Sequence, residues 1–285
     1  MSIVGDDLQV ARRAALAGAA VGMRWFADLP RLRREMKPDG SVVTEADRTV
    51  EAEVRTVLSA ERPDDAVLGE EGGQSGDAAR RWIIDPIDGT ALFVAGDDRW
   101  LVLVALESDG EIVAGVAVIP AQRRVFWAER GGGAWEAPID DLGAARRLIA
   151  GPADPDGEVS MSVGPADPAV PDVGVDLAPA VPAERDGGIR LSVVPLPSVA
   201  EVDGLLAAIP GRPWRQHPPL LVARGELDIA VQSSGHIWDF AATSLIVTEA
   251  GGYYRTRDGG TRPGRGLSVF ARTPELAAEA LTHLA

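Results

Sequence analysis

Apolar positions near the start of the chain recur at intervals of three and four, which indicates two amphipathic helices. In the first, over 7–26, they are Leu8, Ala11, Ala15, Ala19, Met23 and Phe26. The second begins at Thr44, where a hydroxyl followed three residues later by Asp47 is typical of a capping box. Its apolar positions are Val50, Val54, Val57 and Leu58. The polar, turn-rich segment 31–43 between the two predicts a loop.

Short apolar and β-branched runs after the second helix predict strands of a mostly antiparallel sheet. They cover 66–69, 82–84, 100–106, 112–119 and 125–128. The turn composition of Ser108-Asp109-Gly110-Glu111 makes a hairpin of the two longest runs. Further along, we predict strands at 190–194 and 227–231, helices at 199–209 and 239–250, and a last helix capped by Thr273.

The segment 151–188 is crowded with Pro, Gly, Asp and Ala and has no sustained period, so we predict a long irregular connection there. It joins an N-terminal α+β half over 1–150 to a C-terminal α/β half over 189–285. We expect one compact unit, because 285 residues suit a single large domain or two tightly joined halves.

Composition narrows the class of partner. The chain has 28 basic and 43 acidic side chains and a net charge of -15, so a nucleic acid would be repelled. It has no cysteine, which excludes disulfides, thiolate metal sites and a cysteine nucleophile. We find neither a signal-peptide pattern nor an apolar run long enough for a membrane span. We therefore expect a cytoplasmic protein with no membrane partner.

In the stretch Trp-Ile-Ile-Asp-Pro-Ile-Asp-Gly-Thr, an apolar strand is followed directly by Asp85 and, three residues later, by Asp88. One interpretation is a simple strand-ending turn, since Asp, Pro and Gly all favour turns. The other is a cation site, because two carboxylates at the end of a buried strand need neutralising and Mg²⁺ prefers oxygen ligands. An aspartyl nucleophile of the haloacid-dehalogenase type needs acids two residues apart, so the spacing of three disfavours that chemistry.

Four motifs together carry a resemblance to a known family. "KPDGSVVTEADR", "LGEE", "WIIDPIDGT" and "IWDFAATSLIVTEAGG" resemble, in this order, the inositol monophosphatase family of Mg²⁺-dependent phosphatases. The first half is most similar to the bacterial histidinol-phosphatase branch, and the likeness is weakest over 151–219. The resemblance implies an α/β (α+β) fold with a layered αβαβα sandwich. It also implies a homodimer that hydrolyses a small phosphate ester.

The resemblance implies two magnesium ions, with a third, weaker ion near Glu70. It assigns one ion to Glu70, Asp85 and the Ile87 carbonyl. A second ion is assigned to Asp85, Asp88 and Asp239. All of these donors are oxygen atoms.

The resemblance also implies a catalytic pair. Thr90, hydrogen-bonded to Asp47, would orient the attacking water, and the Gly89 and Thr90 amides would bind phosphate oxygens. Asp47 has a second interpretation as the capping acid of its own helix. A loop containing Lys37 and Asp39 would close over the metals.

The substrate side departs from the family pattern. Ala91 and Leu92 stand where many relatives have polar residues, and Gln232 replaces a substrate-binding Glu. The candidate substrate residues are Arg215, His217, Gln232 and His236, with both histidines expected near the mouth of the site. A neutral amide pairs less well than a carboxylate with the amine of histidinol. Sugar, cyclitol and nucleoside monophosphates are therefore candidate substrates as well as histidinol phosphate. A non-catalytic metal-binding sensor or scaffold is the alternative.

Overall fold

The computed structural model describes residues 3–36, 42–151, 191–194, 202–209, 211 and 213–284. The α-helices of these residues are α1 (Ile3–Phe26), α2 (Glu45–Glu61), α3 (Thr90–Ala95), α4 (Asp203–Ala208), α5 (Pro218–Ala223), α6 (Ile237–Glu249) and α7 (Pro274–Thr282). Short 3-10 helices lie at Leu29–Arg31 and Leu142–Ala144. Within this part of the chain, no helix is both long and apolar enough to cross a membrane.

The strands of the described residues form three sheets. They are β1 (Arg34–Met36), β2 (Val42–Thr44), β3 (Ala66–Gly69), β4 (Gly73–Ser75), β5 (Arg80–Asp88), β6 (Leu101–Ser108), β7 (Glu111–Ile119), β8 (Arg124–Glu129), β9 (Gly133–Pro138), β10 (Arg146–Arg147), β11 (Leu191–Val194), β12 (Ile229–Gln232), β13 (Tyr253–Thr256) and β14 (Ser268–Ala271). The largest sheet has the order β10-β9-β8-β7-β6-β5-β3-β4, and β3 and β5 are its parallel pair. A smaller sheet has the order β11-β12-β14-β13, and β1 pairs with β2 alone.

Three apolar cores fill the four interfaces between five layers, and the second core fills two of these interfaces. Alternate residues of β5 face opposite sides: Ile84 packs with α1 and α2, whereas Ile83 packs with α5 and α6. The second core also contains Ala230 and Phe270 of the smaller sheet. A third core covers the other face of that sheet with α4 and α7. The layers therefore run αβαβα, and the predicted fold class is confirmed.

The predicted first helix, the Thr44 capping box and the central hairpin are confirmed. Thr44 Oγ1 accepts from the Asp47 amide at 3.4 Å, and Asp47 Oδ2 accepts from the Thr44 amide at 2.8 Å. These two reciprocal bonds satisfy amides that have no partner inside the helix.

The predicted loop over 31–43 is wrong in part. Its two ends form β1 and β2, which pair in the register Arg34 to Thr44. This pairing uses backbone groups, so polar side chains do not prevent it. The helix predicted over 199–209 is shorter, at Asp203–Ala208. The Lys37 and Asp39 loop lies outside the described residues, as does the predicted connection beyond residue 151.

Candidate active site

A bulge at the end of β5 brings Asp85 and Asp88 together. Asp85 lies opposite Leu103 and Asp88 opposite Leu101, so three steps on β5 match two on β6. In a regular strand, side chains three residues apart point to opposite faces of the sheet. The extra residue of the bulge brings both aspartates to the same face. Asp85, Asp88 and Asp239 each offer a carboxylate oxygen, and these oxygens lie within 4.8 Å of one another.

Asp239 reaches this cluster from the first turn of α6. Its Oδ2 accepts a hydrogen bond from the His236 amide at 2.6 Å, as a capping acid does. A carboxylate at this end of a helix is also stabilised by the positive end of the helix dipole. The same bond that begins the helix therefore fixes the orientation of Asp239.

The cluster is electrostatically unfavourable without a cation. Burial, and then the charges of Glu70, Asp88 and Asp239, raise the pKa of Asp85 well above its ordinary value. Burial and the charge of Asp88 raise the pKa of Asp239 to about 8. Among the described residues, the buried Asp85 Oδ1 and Asp88 Oδ2 accept no hydrogen bond. Oxygen donors with these properties suit a hard divalent cation such as Mg²⁺.

Glu70 directly follows strand β3. The turn after Glu70 is held in place by an acid that the sequence motifs did not identify. Glu51 is buried on α2 and accepts from the Glu71 and Gly72 amides at 2.8 Å each. Arg55 donates to the same carboxylate at 2.7 Å. The available signal was position: Glu51 lies one turn after Asp47 on the buried face of the helix.

A hydrogen bond joins the side chains of Asp47 and Thr90 directly. The Thr90 hydroxyl lies 3.0 Å from Asp47 Oδ1 and 3.1 Å from the Ile87 carbonyl oxygen. A hydroxyl carries one proton, so donation to Asp47 leaves the Ile87 carbonyl available for a cation. Burial raises the pKa of Asp47, and hydrogen bonds from Thr44 and Thr90 oppose this rise. Asp47 thus caps α2 with one oxygen and holds Thr90 with the other.

Gly89 makes the turn between Asp88 and Thr90. Its φ of 85° lies in the left-handed region, which costs a residue with a Cβ of order 1–3 kcal/mol. This conformation ends β5 and begins α3 within one residue.

The substrate-side candidates lie in different environments. Arg215 is exposed, and its backbone carbonyl accepts from Gln122 at 2.8 Å. Gln232 ends β12, and its buried Oε1 accepts no hydrogen bond from the described residues. His236 stacks on Trp238 with ring centroids 4.7 Å apart.

His217, expected near the mouth of the site, lies beside the acidic cluster. His217 is buried, and its Nε2 lies 3.1 Å from Asp88 Oδ2. The following Pro218 and Pro219 are also buried as α5 begins, so the chain turns inward there.

Comparison with known proteins agrees with this architecture. The sequence profile of the "Inositol monophosphatase family" matches residues 6–142 and 219–285. A histidinol-phosphatase of Mycobacterium tuberculosis is 37% identical, with 98% of each chain covered. The extragenic suppressor protein suhB of Bartonella henselae has a similar structure, with a TM-score of 0.74 and 26% identity over 97% of this chain and 98% of that one.

A Streptomyces griseus relative named glucose-1-phosphate thymidylyltransferase is also 37% identical, over 93% of this chain and 92% of its own. That name describes nucleotidyl transfer, whereas the family and the M. tuberculosis relative are named for phosphate hydrolysis. The family profile covers the segments that carry Asp47, Glu70, Asp85, Asp88 and Asp239. The chain therefore belongs to the inositol monophosphatase family and is a phosphoric monoester hydrolase.

Proposed function

We propose that this phosphatase hydrolyses the phosphate ester of a small metabolite with the help of divalent ions, Mg²⁺ in the first instance. The observation that carries the proposal is the cluster of Asp85, Asp88 and Asp239, in which two buried carboxylate oxygens of the described chain have no hydrogen bond. A group of this kind is costly unless a cation is bound.

Two ions are proposed, as the family resemblance implies. Glu70, Asp85 and the Ile87 carbonyl would hold one, and Asp85, Asp88 and Asp239 would hold the other. Bound Mg²⁺ would polarise the phosphate, lower the pKa of water and stabilise the charge on the leaving oxygen. A third ion near Glu70 stays a prediction.

The protein's own groups would orient the reactants. When Thr90 Oγ1 donates its proton to Asp47 Oδ1, its lone pairs can accept a hydrogen bond from the attacking water. That bond would align the water with phosphorus. Gly89 precedes α3 and Thr90 is its first residue. Backbone amides at the start of a helix have no hydrogen-bond partner inside the helix. The Gly89 and Thr90 amides are therefore proposed to donate hydrogen bonds to phosphate oxygens.

The Asp47–Thr90 bond also bears on the sensor or scaffold alternative. Neither residue belongs to the proposed cation ligands, and a protein that only binds metal does not need this bond. The observation favours a catalyst.

The proposed substrates are hydroxyl-rich phosphate monoesters, with histidinol phosphate retained because of the M. tuberculosis relative. Gln232 supports the first class, since a buried amide oxygen accepts a hydrogen bond from a hydroxyl without needing a charge on the substrate. We propose that His236, Arg215 and Gln232 contact the alcohol part of the substrate.

The experiment is a panel of sugar, cyclitol, nucleoside and histidinol monophosphates, assayed for phosphate release with Mg²⁺ and again with chelator. We expect turnover of at least one ester that stops in chelator and returns when Mg²⁺ is added. Turnover unaffected by chelator would contradict the metal mechanism. The proposed homodimer is checked separately by light scattering on the purified protein.

A further inference from the structure

Glu51 is a buried acid that the proposed metal and catalytic residues do not include. It is 2% exposed and lies on the same buried face of α2 as Asp47, one turn later. Asp47 holds Thr90, which follows β5, whereas Glu51 faces the turn that begins with Glu70. Two acids of one helix face therefore hold two separate segments of the proposed active site.

The carboxylate of Glu51 is bound to this turn and to one arginine. Residues 70–72 join β3 to β4. Glu51 Oε2 accepts from the Glu71 amide and Oε1 accepts from the Gly72 amide, each at 2.8 Å. Arg55 Nε donates to Oε1 at 2.7 Å. A buried charge with three donors is satisfied where it lies, so the carboxylate fixes the backbone of the turn.

Two glycines leave the space that this carboxylate fills. A Cβ on Gly69 would overlap the Glu51 carboxylate, and a Cβ on Gly72 would lie 2.6 Å from Glu51 Oε1. Neither glycine has a left-handed φ, so the backbone itself does not require glycine at these positions. The carboxylate could move away only by breaking its bonds to the turn. The close approach of Glu51 therefore explains both glycines.

The residue that precedes the two bound amides is the proposed metal ligand Glu70. Its own amide donates to the carbonyl of Ile84 at 3.2 Å, and Ile84 directly precedes Asp85. The charge of Glu70 is among those that raise the pKa of Asp85, which places its carboxylate near the acidic cluster. Glu70 is thus held by β5 on one side and by Glu51 on the other.

We propose that Glu51 is a positioning residue for Glu70 and that it sets the affinity of the ion assigned to Glu70. The inference rests on the proposed function and deepens it. Glu51 acts through the backbone of the turn and touches neither ion nor substrate. The ion assigned to Asp88 and Asp239 is held by other elements, so its affinity should depend little on Glu51.

The first test is a calorimetric titration of Mg²⁺ into metal-free, full-length protein. Glu51→Gln leaves one carbonyl oxygen for three donors, so part of the hold on the turn is lost. We expect one ion to bind about tenfold more weakly and the other to change less than about threefold, since outer partners of a ligand are worth about 10–100-fold in affinity.

Glu61→Gln is the matched control for this titration. It makes the same chemical change at the exposed end of α2, where Glu61 pairs with Arg13 at 2.9 Å. Both affinities should stay at the wild-type values in this variant. Unchanged affinities in Glu51→Gln would overturn the proposal, and so would an equal weakening of both ions.

The second test asks whether Glu51 acts through Glu70. In a Glu70→Gln background, Glu51→Gln should weaken metal binding less than about twofold further, because two residues that act through one contact are not additive. A general role in folding would instead give the full effect in both backgrounds. That result would overturn the proposal.

Gly72→Ala reaches the same carboxylate from the turn and serves if Glu51→Gln does not fold, as thermal melting would reveal. Its Cβ should displace Glu51 and weaken the same ion. Gly264→Ala is the control, because a Cβ there would meet no atom of the described residues within 4 Å. Wild-type Mg²⁺ binding in Gly72→Ala would contradict the proposal.

The two proposals fail in different ways. If hydrolysis needs Mg²⁺ but Glu51→Gln binds both ions normally, the Glu51 inference is wrong and the proposed function stands. If hydrolysis proceeds unchanged in chelator, the proposed function is wrong as well.

Discussion

The metal side of the active site and the substrate side differ in what holds each side chain. Asp85 and Asp88 are placed by a strand bulge, and Asp239 by a helix-capping bond. Arg215, by contrast, is exposed, and its described bond is made by its backbone carbonyl. The proposed metal ligands are thus held by elements that form the fold, whereas the side chain of Arg215 can change without disturbing those elements.

The largest expected effect comes from breaking the metal side. Asp88→Asn and Asp239→Asn each remove the charge of a proposed metal ligand. We therefore expect turnover to fall more than about 100-fold, since loss of even an outer partner of a ligand costs 10–100-fold. Phosphate release and metal titration are the measurements, with circular dichroism as the check on folding.

Asp140→Asn is the matched control, because Asp140 is an exposed acid paired with Arg123 at 3.0 Å. It makes the same change of charge away from the cluster and should keep normal turnover. Near-normal rates in Asp88→Asn would mean that the acids have been wrongly assigned.

The next effect separates catalysis from metal binding. Thr90→Val removes the hydroxyl bonded to Asp47 and should lower turnover about 100-fold, the lower end of the range for a positioned proton-transfer group. Metal affinity by calorimetry should stay near that of the wild type, and Thr90→Ser should restore most of the rate. Equal loss of metal binding in Thr90→Val would assign Thr90 to the metal site instead.

A smaller effect is expected on the substrate side. Gln232→Glu introduces a charge at the end of β12, so it should raise the preference for histidinol phosphate over a neutral sugar phosphate about tenfold, the value of one charge-assisted hydrogen bond. The measurement is the ratio of kcat/KM for the two esters. An unchanged ratio would place Gln232 away from the substrate.

The smallest effect is on stability in the metal-free protein. The raised pKa of Asp239, about 8, means that the folded state binds this proton more tightly than the unfolded state, where the pKa is about 3.9. The stability it contributes is present below about pH 4 and is lost as the pH rises through about 8. In chelator, we therefore expect the Tm to be lower at pH 8.5 than at pH 6.

Asp239→Asn is the control for this pH effect, because an amide does not titrate, and its Tm should fall less over the same interval. Adding Mg²⁺ to the wild type should recover stability at pH 8.5, since a ligand that binds the folded state stabilises it. A Tm that does not depend on pH in the metal-free wild type would contradict the charge crowding described for the cluster.

The sequence was informative where local patterns determine the structure. The capping box at Thr44, the strand entering Asp85 and the hairpin of β6 and β7 are read from residues close together in the chain, and each is confirmed. The fold class follows from motifs in a fixed order. The positions of Glu51 and His217 depend instead on packing between distant segments.

Two residues illustrate that limit. Glu51 looks like an ordinary helix acid until β3 brings the Glu71 and Gly72 amides to it. His217 looks like a surface histidine beside prolines, but it is buried at the start of α5, a helix that packs against α6. The spacing of Glu51 from Asp47 indicates only which face of the helix it occupies, and the burial of His217 has no local sequence signal. The loop predicted over 31–43 is wrong in part for a similar reason, because β1 and β2 at its two ends are joined by backbone pairing.

The central claim is that Asp85, Asp88 and Asp239 together hold a divalent ion used in hydrolysis. Anomalous diffraction from a crystal grown with Mn²⁺ and phosphate tests it most directly. The account predicts at least one anomalous peak in contact with all three carboxylates and with phosphate beside it. Peaks only elsewhere, or none in crystals of protein that hydrolyses its substrate with Mn²⁺, would contradict it.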